Sequence, residues 1–299
     1  MISVLILTKN EEEEIRGCLN SVAWSDDVHV LDSYSSDLTV EIAKANGANV
    51  VQREFDNWSA HQNWALSKIP FRNDWVFYLD ADERVTPALA TNIRKAISDA
   101  DDKVAFRIRR RDFWGERWLK HVQASSYYLR LFRPQKMRYE RLVNPVSVPL
   151  GPVGDVKGFI DHYPFSKGVA HWLSRHNSYS SLEAQQIIRN RQAKSDFSLS
   201  RALFGTDRNE RRFHQKELFY RIPARPLFKF ALLYLGKRGF LDGAAGFRYA
   251  ALQSFYEYMI VLKTKELIES ASATAESNRD GAIPTATLKE DYANSRTRD

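Results

Sequence analysis

Three carboxylates follow one apolar run in this sequence. Residues 75–79, WVFYL, have the composition of a buried strand, and Asp80, Asp82 and Glu83 come directly after them. Acids this close together repel one another and resist burial, so a positive charge must offset them. Mg²⁺ and Mn²⁺ take oxygen ligands and often combine one or two carboxylates with substrate phosphates. The pattern predicts a Mg²⁺ or Mn²⁺ site at Asp80 and Asp82; the alternative is an acidic turn that caps the next helix.

Other polar residues follow two further strand-like runs. Thr8 and Asn10 follow the first run, and Asp32 and Ser33 follow the second. An acid in such a place can accept hydrogen bonds from a nucleoside base or a ribose hydroxyl. We predict that these four residues bind the nucleoside part of a nucleotide. For Asp32 the alternative is a turn leading to Asp37, whose predicted role is to cap the following helix.

Strand-like and helical patterns alternate through the first third of the chain. Strands are predicted over residues 2–8, 27–32, 48–53 and 75–80, and helices over residues 11–22, 35–47, 58–68 and 87–98, with Asn10 capping the first helix. This alternation indicates an α/β fold with a parallel sheet, in which ligands bind at the carboxyl ends of the strands. Thr8, Asp32 and Asp80 each end a predicted strand, so we expect them at one edge of the sheet.

The next segment, residues 104–162, is strand-like and rich in aromatic and basic residues. Arg130 and Arg133 lie in YYLRLFRP, where guanidinium groups suit the oxygens of a diphosphate. We predict that both arginines bind phosphate; the alternative is a position on the solvent side of a strand.

The remainder of the chain combines basic charge with apolar helices. Lys and Arg concentrate between residues 189 and 238, beside the apolar helix predicted over residues 226–240, whereas residues 197–220 look basic and irregular. Basic charge next to an apolar helix suits an anionic membrane surface, where a lipid-linked glycan acceptor is found. The alternative is a helical subdomain that forms a core of its own or a homo-oligomer interface. Residues 270–299 have almost no large apolar side chains and are predicted to form a disordered tail.

The bulk composition bounds the choice of partner and compartment. The net charge of +7 favours an anionic partner, and no motif that reads RNA or DNA occurs, so we expect no nucleic acid. Cys18 is the single cysteine, which excludes an internal disulfide and fits a reducing cytoplasm. We see neither a leader peptide nor an apolar run long enough to span a bilayer, and therefore expect a cytoplasmic, peripheral membrane protein.

Four segments together resemble the family-2 glycosyltransferases: ISVLILTKNEEEEIRGCLNSV, VLDSYSSDLTVEIAKANGANVV, HQNWAL and WVFYLDADERVTPAL. The most similar group includes lipopolysaccharide-core β-glucosyltransferases and exopolysaccharide-cluster transferases, and the similarity extends over roughly the first 165 residues. The resemblance implies a nucleotide-diphospho-sugar transferase (GT-A) fold, a nucleotide-sugar donor with a UDP-sugar favoured, and a metal at Asp82. It also implies inversion at the anomeric carbon. His162 matches a histidine that would complete the metal site; the alternative is a structural histidine.

Two places depart from the pattern of this family. Ser33 stands where many members carry a second acid, so recognition of the base is expected to differ. Asn144 and Pro145 stand where related members have His-Glu at the end of an acidic segment. Because proline carries no basic group, the catalytic base must be another residue.

An inverting transfer needs a general base that takes the proton of the acceptor hydroxyl. We predict that Glu140 is this base, because aromatic and basic neighbours would hold it near the substrate; the alternative is a salt bridge to Arg138 or Arg141. The other candidates are Asp112, Asp155 and Asp161.

These expectations define three parts of the chain and one function. Residues 1–168 form the catalytic domain, with a nucleotide-binding half (1–100) and an acceptor half (101–168); residues 169–269 form the basic helical region and residues 270–299 the tail. The predicted enzyme moves a sugar from a nucleotide-diphosphate sugar to a lipid-linked, polysaccharide or lipopolysaccharide acceptor at the cytoplasmic membrane face. The alternatives are a nucleotidyltransferase on a similar sheet, against which the acidic KNEEEE loop argues, and a non-enzymatic basic membrane-binding protein.

Overall fold

The structure is a computed structural model that describes residues 1–123, 125–140, 145–192, 197–206 and 208–280. Its strands are β1 (Ser3–Thr8), β2 (Val28–Asp32), β3 (Asn49–Gln52), β4 (Val76–Asp80), β5 (Glu83–Val85), β6 (Ala105–Trp114), β7 (Arg117–Trp118), β8 (Tyr127–Phe132), β9 (Met137–Glu140), β10 (Val146–Pro149) and β11 (Val153–His162). Its α-helices are α1 (Ile15–Ser21), α2 (Thr39–Ala45), α3 (Trp58–Lys68), α4 (Pro87–Ser98), α5 (Gly168–Gln192), α6 (Leu199–Phe204), α7 (Arg208–Arg221), α8 (Arg225–Ala231) and α9 (Gly243–Asp280).

One mixed sheet organises the catalytic part of the described chain. Its strand order is β3-β2-β1-β4-β8-β6-β11-β5, with β7 added to β6, and β9 pairs with β10 in a separate ribbon. The half built from β1 to β4 is parallel, as the alternation predicts, whereas β8 is antiparallel to both β4 and β6. The α/β prediction is therefore confirmed, and the antiparallel β8 joins the two halves of the sheet.

Both faces of the central strands are buried, which explains their continuous apolar runs. Val4 and Ile6 of β1 pack on one face with Ile15 of α1. Leu5 and Leu7 pack on the other face with residues of α3. Strands covered on both faces by helices carry apolar residues at every position rather than at alternate positions.

The strand register brings the predicted site residues to one edge. Thr8 is paired with Asp32, and the preceding residue of β1, Leu7, is paired with Asp80. The expectation that Thr8, Asp32 and Asp80 share the carboxyl edge of the sheet is confirmed.

The loop after β1 differs from the sequence prediction. The helix α1 begins at Ile15 rather than at residue 11, and Asn10 adopts a left-handed conformation with φ 53°, so Asn10 does not cap it. Instead the Asn10 side chain accepts a hydrogen bond from the Ser36 N–H at 2.8 Å, and the Glu12 N–H donates to Asp37 at 3.2 Å. The loops after β1 and β2 are thus bonded to each other at the site edge.

The short strand β5 was not predicted. It pairs antiparallel with the end of β11, with Glu83 opposite His162. This pairing buries the Glu83 side chain completely inside the sheet edge. An acid that was expected to lie in a turn is therefore part of the core.

The helical region packs directly on the sheet. Trp172 of α5 and Tyr249 of α9 share an apolar cluster with Leu119 and Phe165 from the catalytic part. Residues 197–220, predicted to be irregular, contain the helices α6 and α7. A π-helical turn (Leu232–Gly236) and a 3₁₀ turn (Gly239–Asp242) connect α8 to α9.

The last helix also corrects the predicted boundary of the tail. The helix α9 continues to Asp280, so residues 270–280 are helical where disorder was predicted. Residues 281–299 lie outside the described ranges. Within the described ranges, none of the helices combines the length and the apolar character needed to cross a membrane.

Candidate active site

Asp82 and His162 lie in contact at the carboxyl edge of the sheet. Asp82 follows β4, and His162 ends β11, which the pairing with β5 holds against this turn. The His162 Nε2 is 3.3 Å from the Asp82 Oδ2, and the Tyr163 N–H donates to the Asp82 carbonyl at 3.0 Å. The structure therefore brings together the two residues that resemblance assigned to the metal; their metal role stays a prediction.

A second carboxylate fixes the orientation of His162. The His162 Nδ1 bonds to the Asp112 Oδ1 at 2.6 Å, which turns Nε2 towards Asp82. Burial acts to lower the pKa of His162, but the neighbouring carboxylates of Asp82 and Asp112 outweigh it and raise this pKa to about 9. Burial acts to raise the pKa of Asp82, but His162 outweighs it and holds this pKa well below its usual range. A carboxylate behind a histidine is the usual support of a metal-binding imidazole.

Arg130 neutralises the other two acids after β4. Its Nη2 is 3.0 Å from the Asp80 Oδ2 and 2.6 Å from the Glu83 Oε1, and the side chain is buried. The second Asp80 oxygen accepts a hydrogen bond from the Tyr78 hydroxyl at 2.6 Å. The negative charge of Asp80 and Glu83 is therefore balanced by a side chain of the protein itself, whereas the sequence suggested a metal ion in this role. Arg130 thus serves as an internal counter-charge, and its phosphate role, like the metal role of Asp80, stays a prediction.

Arg133 lies at the opposite edge of the sheet. Its guanidinium stacks over Trp75 at 4.7 Å and is 3.8 Å from Asp74, both of which precede β4. A five-residue strand is about 16 Å long, so Asp80 is a strand length away. The predicted phosphate contact of Arg133 does not fit this position.

The predicted nucleoside residues surround the ends of β1 and β2. Asp32 is fully buried and accepts hydrogen bonds from the Ser35 N–H and the Gln52 amide, each at 2.9 Å, as the turn alternative describes. The Ser33 hydroxyl bonds to the buried His61 at 3.3 Å. The Thr8 hydroxyl is buried and has no hydrogen-bond partner among the described residues, so its hydrogen-bonding capacity is unfilled.

Sequence reasoning missed a cationic group that faces this site from α5 and the turn before it. Lys167 contacts the Glu11 Oε1 at 2.6 Å and donates to the Asn10 carbonyl. Burial raises the pKa of Glu11 to about 7, against the opposing effect of Lys167. Arg175, on the second turn of α5, lies in the field of Asp82 and Glu11. No local pattern signals these contacts, because Lys167 follows Asn10 by 157 residues.

Glu140 lies on the solvent side of the β9–β10 ribbon. Met137 and Tyr139 point into the core, and Glu140 alternates with them to the exposed face. Its carboxylate is 2.9 Å from the Arg138 guanidinium, the salt bridge that was the alternative to a catalytic role. Arg141 and Asn144 lie outside the described residues. The role of Glu140 as the base stays a prediction.

The other candidate bases also have basic partners. Asp155 is exposed and paired with Arg107, at 2.8 Å. Asp161 bonds to the Arg111 guanidinium through both oxygens. Asp112 supports His162, as described above. In the described part of the chain, no three His, Cys, Asp or Glu side chains form a metal site by themselves.

Open α/β sheets bind ligands at the carboxyl ends of their strands, and this chain places acids, a histidine and a hydroxyl there. The sequence profile of Glycosyl transferase family 2 matches residues 3–161, more than half of the chain, and the chain belongs to this family. The predicted GT-A fold and the predicted glycosyltransferase activity are thereby confirmed.

Relatives of similar length carry glycosyltransferase names. An uncharacterised glycosyltransferase of Rickettsia typhi is 24% identical over 93% of this chain and 91% of its own length. The lipopolysaccharide core biosynthesis glycosyltransferase LpsC of Rhizobium meliloti is 23% identical over 94% of this chain and 97% of its own length. Among solved structures, glucosyl-3-phosphoglycerate synthase of Mycobacterium tuberculosis, in complex with Mn²⁺, UDP and glucosyl-3-phosphoglycerate, is 24% identical, with a TM-score of 0.32. That similarity covers 38% of this chain and 43% of the other.

Proposed function

We propose that this glycosyltransferase is metal-dependent and inverting, and that it transfers a sugar from a nucleotide-diphosphate sugar, a UDP-sugar being favoured. The observation that supports this most directly is the row of Asp82, His162 and Asp112 beside the unpartnered Thr8 hydroxyl. This arrangement combines two side chains of the kinds that bind metal ions with a hydroxyl that has no partner among the described residues. Both lie at the edge where α/β sheets bind nucleotides.

The donor pair fits a divalent cation. Asp82 supplies a carboxylate oxygen and His162 an imidazole nitrogen, which Asp112 orients through the opposite ring atom. Since the described residues form no complete metal site, phosphate oxygens of the donor would supply the remaining ligands. A Mg²⁺ or Mn²⁺ ion held there would neutralise the diphosphate as it leaves. Thr8, Asn10 and Asp32 would hold the nucleoside beside it.

The donor is tested by incubating the purified chain with a panel of nucleotide sugars and Mn²⁺, and measuring release of the nucleoside diphosphate. We expect slow hydrolysis of one donor, most readily a UDP-sugar, and loss of the signal in EDTA. Release that EDTA leaves unchanged would overturn the metal requirement, whereas no release and no binding of any nucleotide sugar would overturn the proposed donor class.

For the acceptor we propose a lipid-linked glycan or a lipopolysaccharide intermediate at the cytoplasmic membrane face. The relative LpsC acts in lipopolysaccharide core biosynthesis, according to its name. In this chain a continuous apolar surface joins α8, the turns after it and the start of α9. The ring of Tyr234 packs on those of Phe240 and Phe247, with centroid distances of 6.3 and 5.7 Å. Leu227 and Leu235 on this surface are 72% and 61% exposed.

Basic residues border this apolar surface, which we call the α8–α9 surface. Lys237, Arg238 and Arg248 are exposed beside the aromatic residues just described. Apolar side chains ringed by cations bind anionic bilayers by shallow insertion together with charge attraction. The enzyme would thereby rest on the membrane that carries its acceptor, without crossing it.

We expect the wild-type protein to float with vesicles that contain phosphatidylglycerol and to bind less as salt rises through the physiological range, because salt screens the charge attraction. Changing Lys237, Arg238 and Arg248 to Glu should release it. The matched control changes the exposed residues Lys44, Lys95 and Lys157 of the catalytic part to Glu, with the same change in net charge, and should still float. Equal loss in both triple variants, or no binding by the wild type at low salt, would contradict a role of the α8–α9 surface in membrane binding.

A further inference from the structure

The turn before α5 ties the start of this helix to the segment after β4. The chain leaves β11 at His162, and the Tyr163 N–H bonds to the Asp82 carbonyl at 3.0 Å. Gly168 then turns the chain into α5 with φ 79°, a conformation that glycine adopts without strain. Trp172 stacks on Phe165 at 6.1 Å, which orients the helix. The start of α5 is thereby held near the site, where Lys167, just before the helix, reaches Glu11 and Asn10.

The acids nearest to this side of α5 already have basic partners. Glu11 is paired with Lys167 at 2.6 Å, and Asp82 is paired with His162 at 3.3 Å. A further cation on α5 is therefore not needed as the closest partner of either acid. An anion from outside the protein would balance it.

Arg175 is that further cation. Its guanidinium donates to the Tyr179 hydroxyl at 3.3 Å, and within the described ranges no carboxylate lies within 4.0 Å of it. Burial acts to lower the pKa of Arg175, whereas Tyr179 and then the more distant Asp82 and Glu11 raise it. Arg175 lies in the second turn of α5, the helix that begins directly after Lys167, and its side chain is exposed and keeps donors available.

We infer that Arg175 binds the diphosphate of the nucleotide-sugar donor and stabilises it as the leaving group. This inference rests on the proposed function, which places the diphosphate at Asp82. The planar guanidinium offers paired N–H donors that match two phosphate oxygens. Tyr179 supports the guanidinium from behind, with its ring 5.8 Å away.

In the transfer step, the bond between the anomeric carbon and the β-phosphate oxygen breaks, and its electron pair stays on that oxygen. The acceptor hydroxyl oxygen forms the new bond to the anomeric carbon and gives its proton to the general base. Arg175 donates hydrogen bonds to the departing diphosphate, so its interaction strengthens as negative charge develops there.

The test compares Arg175→Gln with Arg189→Gln. Arg189 is an exposed arginine on the same helix, about 21 Å further along it. Calorimetry in EDTA and in Mn²⁺ measures binding of UDP and UMP, or of the corresponding pair if the donor screen identifies another base. We expect Arg175→Gln to weaken UDP binding by roughly 10- to 150-fold, the range for a lost hydrogen bond to a charged partner. Binding of UMP should change less, so the preference for UDP over UMP should fall.

Each outcome separates the inference from the proposed function. Arg189→Gln should match the wild type, and Arg175→Lys should recover part of the UDP affinity because it keeps the charge. If the wild type binds UDP and Arg175→Gln binds it equally well, the inference is wrong and the proposed function stands. Equal losses for UDP and UMP together with a lower Tm would show a structural role and also overturn the inference. If the wild type binds no nucleoside diphosphate, the proposed function fails first.

Discussion

Asp82→Asn should reduce sugar transfer at least about 10³-fold while leaving the protein folded. Asparagine keeps the size of the side chain and its approach to His162, but it removes the negative charge that would hold the metal–diphosphate pair. Losing several kcal/mol of transition-state stabilisation corresponds to a rate loss of this order. The measurement is the rate of nucleoside diphosphate release from the donor, together with the Mn²⁺ dependence of UDP binding. The wild type should bind UDP more tightly in Mn²⁺ than in EDTA, and the variant should show little difference.

The matched control for this change is Asp74→Asn. Asp74 precedes β4, whereas Asp82 follows it, and Asp74 is exposed and lies 3.8 Å from Arg133. This variant should keep the wild-type rate, since an exposed ion pair contributes little. A fully active Asp82→Asn enzyme, in the presence or absence of EDTA, would exclude Asp82 from the metal site.

Arg130→Met should lower the free energy of unfolding by about 3 to 5 kcal/mol, because it leaves the buried Glu83 without its counter-charge. Methionine fills much of the space of the arginine but brings no charge. Glu83 has no exposed surface, so water cannot compensate, and Arg110 at 3.5 Å is the remaining cation. Urea unfolding of the wild type and the variant measures the difference.

Two further variants separate charge from volume. Arg133 belongs to the same segment, but it is partly exposed and only loosely paired with Asp74. Arg133→Met should therefore lower the free energy of unfolding by less than about 1 kcal/mol. Adding Glu83→Gln to Arg130→Met should restore part of the stability, because the unpaired charge is then gone. An Arg130→Met protein as stable as Arg133→Met would show that the acids after β4 do not depend on Arg130.

The sequence predicted best those elements whose signals are local. The helices α3 and α4 begin and end where predicted, because Asn57 and Thr86 cap them through their side chains and Pro87 fits a first helical turn. The ends of β1 and β4 were found because a buried apolar run stops at a polar residue. The strand β5 was missed because three residues carry no periodicity of their own and depend on pairing with distant β11.

The same distinction applies to the candidate site. The approach of Asp82 and His162 was expected only through family resemblance, since 80 positions separate them in the sequence. The contact of Arg130 with Glu83 was not predicted, because a sequence does not show that β8 lies beside β4 and brings this arginine to Glu83. The pairing of Glu11 had no local signal in the sequence, because its partner Lys167 comes from the far end of the catalytic domain.

The contact of Lys167 with Asn10 and Glu11 bears on how this enzyme and its relatives can be recombined. The predicted division at residue 168 falls one residue after Lys167, whose contacts tie the start of α5 to the donor side. A chimaera joined at residue 168 would keep its own Lys167 but take Arg175 and Tyr179 from the other parent. A junction placed after Tyr179 would exchange only the rest of α5 and the helices after it. Lys167, Arg175 and Tyr179 would then all come from the same parent.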